Sequence, residues 1–305
     1  MAHTMKMLRL GTRGSPLALT QAGLVRDALL AAHAIEVEIV PIRTTGDRVQ
    51  DRALAEIGGK ALWTKELDRA LLAGEIDAAV HSMKDVETIR PPAIAIAATL
   101  PRADVRDRLI GAPAIEALPH GAAIGTSSPR RAAQLRRLRP DLVPVVFRGN
   151  VDTRLAKLAT GEVAATLLAA AGLERLGRHD TGVPIPPEVM LPAPAQGAVG
   201  IEARADDAET ATLLAAIDHP PTHACVLAER ALLAALKADC HSPVAALATL
   251  ANGVMTLAAE LLSEDGAAHV SGEAQGQPGD LSFAGDLAAD LLRRAPDAVR
   301  KLFAA

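Results

Sequence analysis

Arg130 and Arg131 follow directly on Thr126-Ser127-Ser128-Pro129. Ser is a natural helix N-cap and Pro fits the first helical turn, so this run predicts a helix whose first turn carries two guanidiniums. Cations there oppose the helix dipole, at a cost of about 0.3–1 kcal/mol each. The placement makes sense if an anion sits on the turn, held by free backbone N–H groups and by the hydroxyls of Thr126, Ser127 and Ser128. Arg148 and Arg154 flank the next helix start, and Arg13 lies at the first one. Taken singly, each reads as a solvated arginine. Five of them at three helix entrances point to a ligand bearing several carboxylates or phosphates, which the planar guanidinium grips two bonds at a time.

Three further runs carry chemistry. Gly58-Gly59-Lys60-Ala61-Leu62-Trp63-Thr64-Lys65-Glu66 frees the backbone and sets two lysines at a helix start. It lacks the spacing and ending of a nucleotide-binding P-loop. Trp63 is the only tryptophan, and reads as core filler or as a flat ring contact. His81-Ser82-Met83-Lys84-Asp85 ends a short buried strand, and the carboxyl ends of strands are where α/β proteins bind ligands. Lys84 and Asp85 read either as an ion pair or as a carboxylate placed to steady a cation or pass a proton. Cys240, in Lys237-Ala238-Asp239-Cys240-His241-Ser242-Pro243, occupies a tight polar loop and reads either as a nucleophile or as an idle thiol. Cys225 sits in a helical apolar pattern and reads as core.

The elements that must position these residues alternate through the first 200 residues. Strand signals at 8–10, 35–42, 76–80, 94–100, 122–124 and 143–147 are separated by helical patterns at 17–30, 62–73, 128–138 and 150–159. Gly74 is a stop for the second helix. A second lobe begins near Pro101, and the Pro- and Gly-rich stretch 183–200 reads as an irregular crossing segment. Beyond His219 the pattern changes to a helix over 224–237, strands near 243–250, 253–262 and 267–274, turns at Asn252-Gly253 and Asp265-Gly266, and a long helix over 281–302. The whole reads as two α/β lobes plus a small C-terminal α+β domain. Gly11-Thr12-Arg13-Gly14-Ser15-Pro16 and Gly125-Thr126-Ser127-Ser128-Pro129 both follow a strand and open a helix. That echo points to paired lobes, though Gly-Thr and Ser-Pro are also common turn chemistry.

Composition bounds the function. A chain of 305 residues, 50% hydrophobic and 22% charged, forms about two domains with a sizeable core. No apolar run reaches the roughly 18 residues that span a bilayer. The first residues lack the apolar stretch of a secretory signal, so the cytosol is expected. Two cysteines make no disulfide framework, and no Cys/His set has metal-site spacing, so no metal is expected. Residues 1–154 carry 22 Lys+Arg against 17 Asp+Glu, or +5, and the remainder carries 10 against 19, or −9. A weakly basic front half on an acidic protein fits a local anion site better than a nucleic-acid face. With three Phe, one Trp and no Tyr, base stacking is poorly supported. Two other readings stand beside an enzyme. One is a non-catalytic solute binder. The other is a nucleic-acid regulator acting through Arg130, Arg131, Arg136, Arg137 and Arg139.

The runs that begin at Gly11, Gly58, His81, Gly125, Arg148 (Arg148-Gly149-Asn150-Val151-Asp152-Thr153-Arg154-Leu155) and Pro194 (Pro194-Ala195-Gln196-Gly197-Ala198-Val199-Gly200-Ile201-Glu202), followed by the Cys240 loop, resemble in this order the porphobilinogen deaminase family. The resemblance implies two periplasmic-binding-protein-like α/β lobes, one over 1–100 completed by 201–217 and one over 101–200. A cofactor-anchoring α+β domain over 218–305 completes the chain. It implies a transferase that joins four porphobilinogen molecules head to tail, with release of ammonia, into the linear tetrapyrrole hydroxymethylbilane. The primer is a dipyrromethane held by a thioether to Cys240. By the family pattern Asp85 is catalytic. Lys84, Asp85, Thr126, Ser127, Ser128, Arg130 and Arg131 hold the cofactor, and Arg13, Ser15, Lys60, Trp63, Arg148, Arg154 and Gln196 hold substrate. The resemblance further implies a cytoplasmic monomer of haem biosynthesis with a small-molecule substrate and no nucleic-acid or membrane partner. Three departures stand out. Ala238-Asp239 precedes the anchor where the family has small glycines, so a negative charge is expected near the thiol. Ala195 replaces a usual Gly, and Trp63 a usual Phe.

Overall fold

The computed structural model describes residues 7–42 and 64–303. Lys60, Trp63 and the Gly58-Gly59 run lie outside the described residues. In chain order the elements begin with β1 (Met7–Arg13), α1 (Pro16–Ala32), β2 (Glu36–Ile42), α2 (Lys65–Leu72), β3 (Ala78–Ser82) and β4 (Ile94–Thr99). Next come β5 (Asp107–Ile110), β6 (Ala123–Gly125), α3 (Pro129–Leu138), β7 (Val143–Val145), α4 (Val151–Ala159), β8 (Ala165–Ala169), α5 (Ala170–Arg175) and β9 (Val183–Ile185). The described chain closes with β10 (Val199–Arg204), α6 (Ala208–Ala215), α7 (Pro220–Ala235), β11 (Val244–Ala251), β12 (Val254–Leu262), β13 (His269–Gly276), α8 (Ser282–Arg294) and α9 (Asp297–Arg300).

Two compact units result. One runs to Arg102 and includes Ala198–His223; the other comprises Ala103–Gly197 and Ala224 onward. The first holds a sheet of order β2-β1-β3-β10-β4, with β1 parallel to β2 and β3, and β10 antiparallel to β3 and β4. The second holds a sheet of order β7-β6-β8-β5-β9, with β6 parallel to β7 and β8, and β5 antiparallel to β8 and β9. The two orders correspond strand for strand. β1 and β6 hold the same place, and each leads into a Ser-Pro helix entrance, so the sequence echo marks a repeated architecture. Ser15 Oγ accepts from Ala18 N at 3.3 Å, and Ser128 Oγ from Arg131 N at 3.4 Å. Both glycines before these caps are forced by packing. A Cβ on Gly11 would lie 2.2 Å from Ile76, and one on Gly125 2.5 Å from the Phe147 ring.

The cores are aliphatic. In the first unit Leu8, Leu10, Val80, Val199 and Ile201 pack on Ala22, Val25 and Leu29 of α1. In the second, Ile124, Leu135 and Leu167 form one core, and the antiparallel β11-β12-β13 sheet packs Leu257 and Leu261 on Leu232, Phe283 and Leu287. The Asn252-Gly253 turn has φ of 51° and 78°, the left-handed pair a tight hairpin demands. Gly74 ends α2 at φ 67°.

Three sequence expectations are corrected. The long C-terminal helix is broken after Arg294, because Pro296 cannot continue it. The stretch 183–200 is not wholly irregular, since it forms β9 and begins β10. The strand β5 was not expected at all. Among the described residues no helix is long and apolar enough to cross a membrane.

Candidate functional site

In the first unit, β1, the start of α1 and the end of β3 enclose a pocket of about 70 Å³ lined by Arg13, Ser15, Gln21, His81, Ser82 and Asp85 among others. β3 is buried on both faces and ends in a single 3-10 turn, Met83–Asp85, which turns Asp85 out to solvent while Met83 stays buried. Lys84 is half-buried beside it. Gln21 is buried, and its amide exchanges hydrogen bonds with the Ser82 hydroxyl: Nε2 donates to Oγ at 2.8 Å, and Oγ donates to Oε1 at 3.2 Å. Thr64 Oγ1, buried in the same wall, has no hydrogen-bond partner among the described residues. The pocket thus offers a carboxylate, a guanidinium and several hydroxyl and amide groups on a rigid strand end.

Behind the pocket lies an ionic network. Glu202, on β10, has no exposed side-chain surface, and Arg90 donates to it through Nε at 2.7 Å and Nη2 at 2.8 Å. His81 Nε2 approaches the same carboxylate at 3.1 Å. Arg90 also meets Asp68 at 2.5 Å and Glu87 at 3.4 Å. Burial would raise the Glu202 pKa, but the hydrogen bonds and charges of His81 and Arg90 outweigh it and push it down to about 2.

The second unit clamps a carboxylate in the corresponding strand. Asp107, on β5, is 1% exposed. It receives Arg130 Nη2 at 2.8 Å, Arg131 Nη2 at 2.7 Å and Gln196 Nε2 at 2.8 Å. Burial opposes its charge, yet the two guanidiniums hold the carboxyl well below the usual range. Arg130 also donates to Gln134 and to the Leu191 carbonyl, and Arg131 to the Leu167 carbonyl. Two cations on one carboxylate leave a net positive charge at this helix entrance. Thr126 Oγ1 accepts from Ser128 N, and the Ser127 hydroxyl ties the Phe147 backbone through both its N–H and its carbonyl. Arg148 is half-buried at the end of the β7 segment, and Arg154 Nε donates to the Gly149 carbonyl at 3.0 Å. Gln196 is buried and follows Ala195, whose φ of 60° is left-handed. The buried Glu229 carboxylate accepts from Ala195 N and, at 2.7 Å, from Ala248 N, which holds this turn in place.

Cys240 is exposed and Cys225 buried, with no disulfide between them. The loop starts where α7 stops. Lys237 takes φ 52° and closes the helix with Lys237 N to Ala234 O and Ala238 N to Leu233 O, the paired bonds of a Schellman cap. Asp239 Oδ1 then accepts from His241 N at 2.9 Å, and Ser242 Oγ from Asp239 N at 3.1 Å. Cys240 therefore sits at the tip of a self-bonded turn, and the Asp239 carboxylate is engaged by the backbone.

The structure brings Arg13, Ser15 and Asp85 into one pocket. It brings Arg130, Arg131 and Gln196 onto one carboxylate. It turns the Thr126 and Ser127 hydroxyls to backbone. Sequence reasoning quoted His81, Ser82, Thr64 and Glu202 within their runs but gave them no role, and it did not single out Gln21 or Asp107. The Gln21–Ser82 pair spans 61 residues of sequence, so only the folded chain reveals it.

A sequence model described as the dipyrromethane cofactor-binding domain of porphobilinogen deaminase matches residues 8–212, and one described as its C-terminal domain matches 223–293. A porphobilinogen deaminase of Sphingopyxis alaskensis is 61% identical over 306 residues, covering 97% of this chain and 96% of its own. The chain belongs to the porphobilinogen deaminase family. A second porphobilinogen deaminase, from Paracoccus denitrificans, is 53% identical over 95% of both chains. Among solved structures, the methionine-binding protein MetQ is 13% identical with a TM-score of 0.44, covering 69% of this chain and 89% of its own. At that score the likeness is loose.

The residues suit the cofactor that the porphobilinogen deaminase domain is described as binding. In the first-unit pocket Arg13 and Ser15 would offer donors to its acidic side chains, and Asp85 would offer an acceptor to its pyrrole N–H groups. The Thr64 hydroxyl, without a partner among the described residues, is the kind of buried polar atom a bound group satisfies. Cys240, exposed in a defined turn, would supply the sulfur of a thioether.

Proposed function

We propose that this chain is a hydroxymethylbilane synthase, a transferase that joins four porphobilinogen molecules head to tail with loss of ammonia. The observation that carries this reading is the pocket at the end of β3, where Asp85 faces the same space as Arg13, Ser15, Gln21 and Ser82. The first-unit groups Arg13, Ser15 and Lys84 would hold acetate and propionate groups. In the second unit the same task falls to Thr126, Ser127, Ser128, Arg130, Arg131, Arg148, Arg154 and Gln196. Lys60 and Trp63 join the assignment on the family pattern alone. Cys240 is the covalent anchor. When bound, dipyrromethane supplies the pyrrole carbon to which the first substrate ring is joined.

Asp85 has the central task. Loss of ammonia from the aminomethyl group leaves positive charge on the substrate's methylene and ring nitrogen. A fixed carboxylate beside that charge stabilises it more than it stabilises the neutral ground state, and such differential stabilisation is what lowers a barrier. The rigid strand end keeps Asp85 placed without reorganisation. A domain division at 1–100 with 201–217, 101–200 and 218–305 fits this assignment, as do a cytoplasmic location, a monomeric state and the absence of a nucleic-acid partner.

The test is Asp85→Ala. The variant is expected to fold and to retain the cofactor mass while turnover of porphobilinogen falls about 10³-fold or more. Near-normal turnover would remove Asp85 from the mechanism. Absence of turnover by the unaltered chain would overturn the reading itself.

A further inference from the structure

His81 lies between the two features of the first unit. Its side chain lines the pocket that holds Asp85, and its Nε2 lies 3.1 Å from the buried Glu202. The ring is 6% exposed and sits on β3, four residues before Asp85. Charged groups surround it: Glu202 of β10 directly, Arg90 on that same carboxylate, Asp68 of α2 and Glu87 on Arg90, and Arg13 of β1 in the same pocket wall. Arg90 meets three carboxylates, Glu202, Asp68 and Glu87, and Lys65 of α2 also acts on Glu87.

An ionised Glu202 carries only acceptors, so its charge 3.1 Å from Nε2 favours the neutral tautomer with the proton on that nitrogen. That leaves Nδ1 with its lone pair. A proton taken there makes an imidazolium beside the ionised Glu202 carboxylate.

We propose that His81 Nδ1 is the proton acceptor of this pocket, with Glu202 and Arg90 as positioning residues. The proposal rests on the function assigned above. When a new substrate unit is joined to a substrate ring already added, that ring's attacked carbon must lose its hydrogen. The C–H bond breaks, its electron pair restores the aromatic ring, and the proton forms an N–H bond at Nδ1. The imidazolium then gives that proton to water, and the ring returns to its Nε2–H form. Asp85 is thereby free to remain ionised opposite the developing cation, instead of having to serve both charge and proton in turn.

Two measurements on the cofactor-loaded full-length chain test this. Long-range proton–nitrogen NMR of the imidazole should show the Nε2–H tautomer at high pH, with Nδ1 titrating. The rate of porphobilinogen consumption should fall on the acid side with the same midpoint. His81→Gln should lose that limb and slow turnover about 100-fold, with the cofactor mass retained. Glu202→Gln, which keeps the shape but removes the facing charge, should move the limb to lower pH. An Nδ1–H tautomer, or a His81→Gln enzyme with the unaltered rate and profile, overturns the proposal. A wild-type chain that consumes no porphobilinogen overturns the functional reading instead, and the tautomer then decides the His81 assignment separately.

Discussion

Two buried carboxylates hold corresponding places in two sheets of the same strand order, and each is met by two basic, nitrogen-bearing side chains. Asp107 on β5 is held by Arg130 and Arg131. Glu202 on β10 is held by Arg90 and His81. The first trio keeps its charge at any working pH, because both partners are guanidiniums. The second contains an imidazole, the one side chain whose ordinary pKa lies near neutrality. The same architecture therefore gives one carboxylate whose basic partners are guanidiniums alone and one that an imidazole also approaches. The all-guanidinium trio sits under the α3 entrance, and the cluster with the imidazole sits behind the Asp85 pocket.

The sharpest way to break this comparison is Asp107→Asn. It leaves two buried guanidiniums without their carboxylate, and removing one partner of such a buried group costs about 3–5 kcal/mol. Chemical denaturation should show a loss of that size, together with weaker cofactor retention by intact mass. A loss below 1 kcal/mol would mean that water or Gln196 satisfies the arginines well enough on its own.

Glu202→Gln should cost less, because Arg90 keeps Asp68 and Glu87. About 1–3 kcal/mol is expected, the range for a disrupted buried hydrogen-bond partner. The pH dependence follows from the lowered pKa values. A carboxyl with its folded pKa below the unfolded one contributes stability that is present above the unfolded value, near 4, and is lost as pH falls through the folded value. Glu202, pushed down to about 2, and Asp107, held lower still, both act in this direction. Denaturation midpoints should thus be level from neutrality to about pH 5 and fall below it, and Glu202→Gln should make the fall shallower. An equally steep fall in the variant would place the acid sensitivity elsewhere.

Much of the frame was legible because it is written in local chemistry. Ser15-Pro16 and Ser128-Pro129 announce two helix starts, and Asn252-Gly253 announces a hairpin. Asp85 at the end of a short apolar run was legible for the same reason. What escaped notice depends on distant partners. β5 begins with Asp107 and Arg108, charges that disguise a fully buried strand until Arg130, Arg131 and Glu174 arrive from 23 or more residues away. Gln21 reads as an ordinary polar position on α1 until Ser82 covers it. Arg130 and Arg131 were read as reaching for a ligand, and their first partner turns out to be internal.

The smallest effect concerns the Ala195 turn. A left-handed φ of 60° costs an alanine roughly 1 kcal/mol relative to glycine. Ala195→Gly should therefore raise stability by up to about 1 kcal/mol, less the entropy that glycine adds to the unfolded chain. A clear destabilisation would show that the Ala195 methyl has packing of its own to lose.

The central claim is that this chain works on a dipyrromethane tethered to Cys240. Intact mass spectrometry of the purified protein tests it directly. The account predicts that the unaltered chain weighs more than its sequence by two linked pyrrole units, and that Cys240→Ser returns to the sequence mass. An unaltered chain at the bare sequence mass, or a Cys240→Ser variant that keeps the addition, would contradict it.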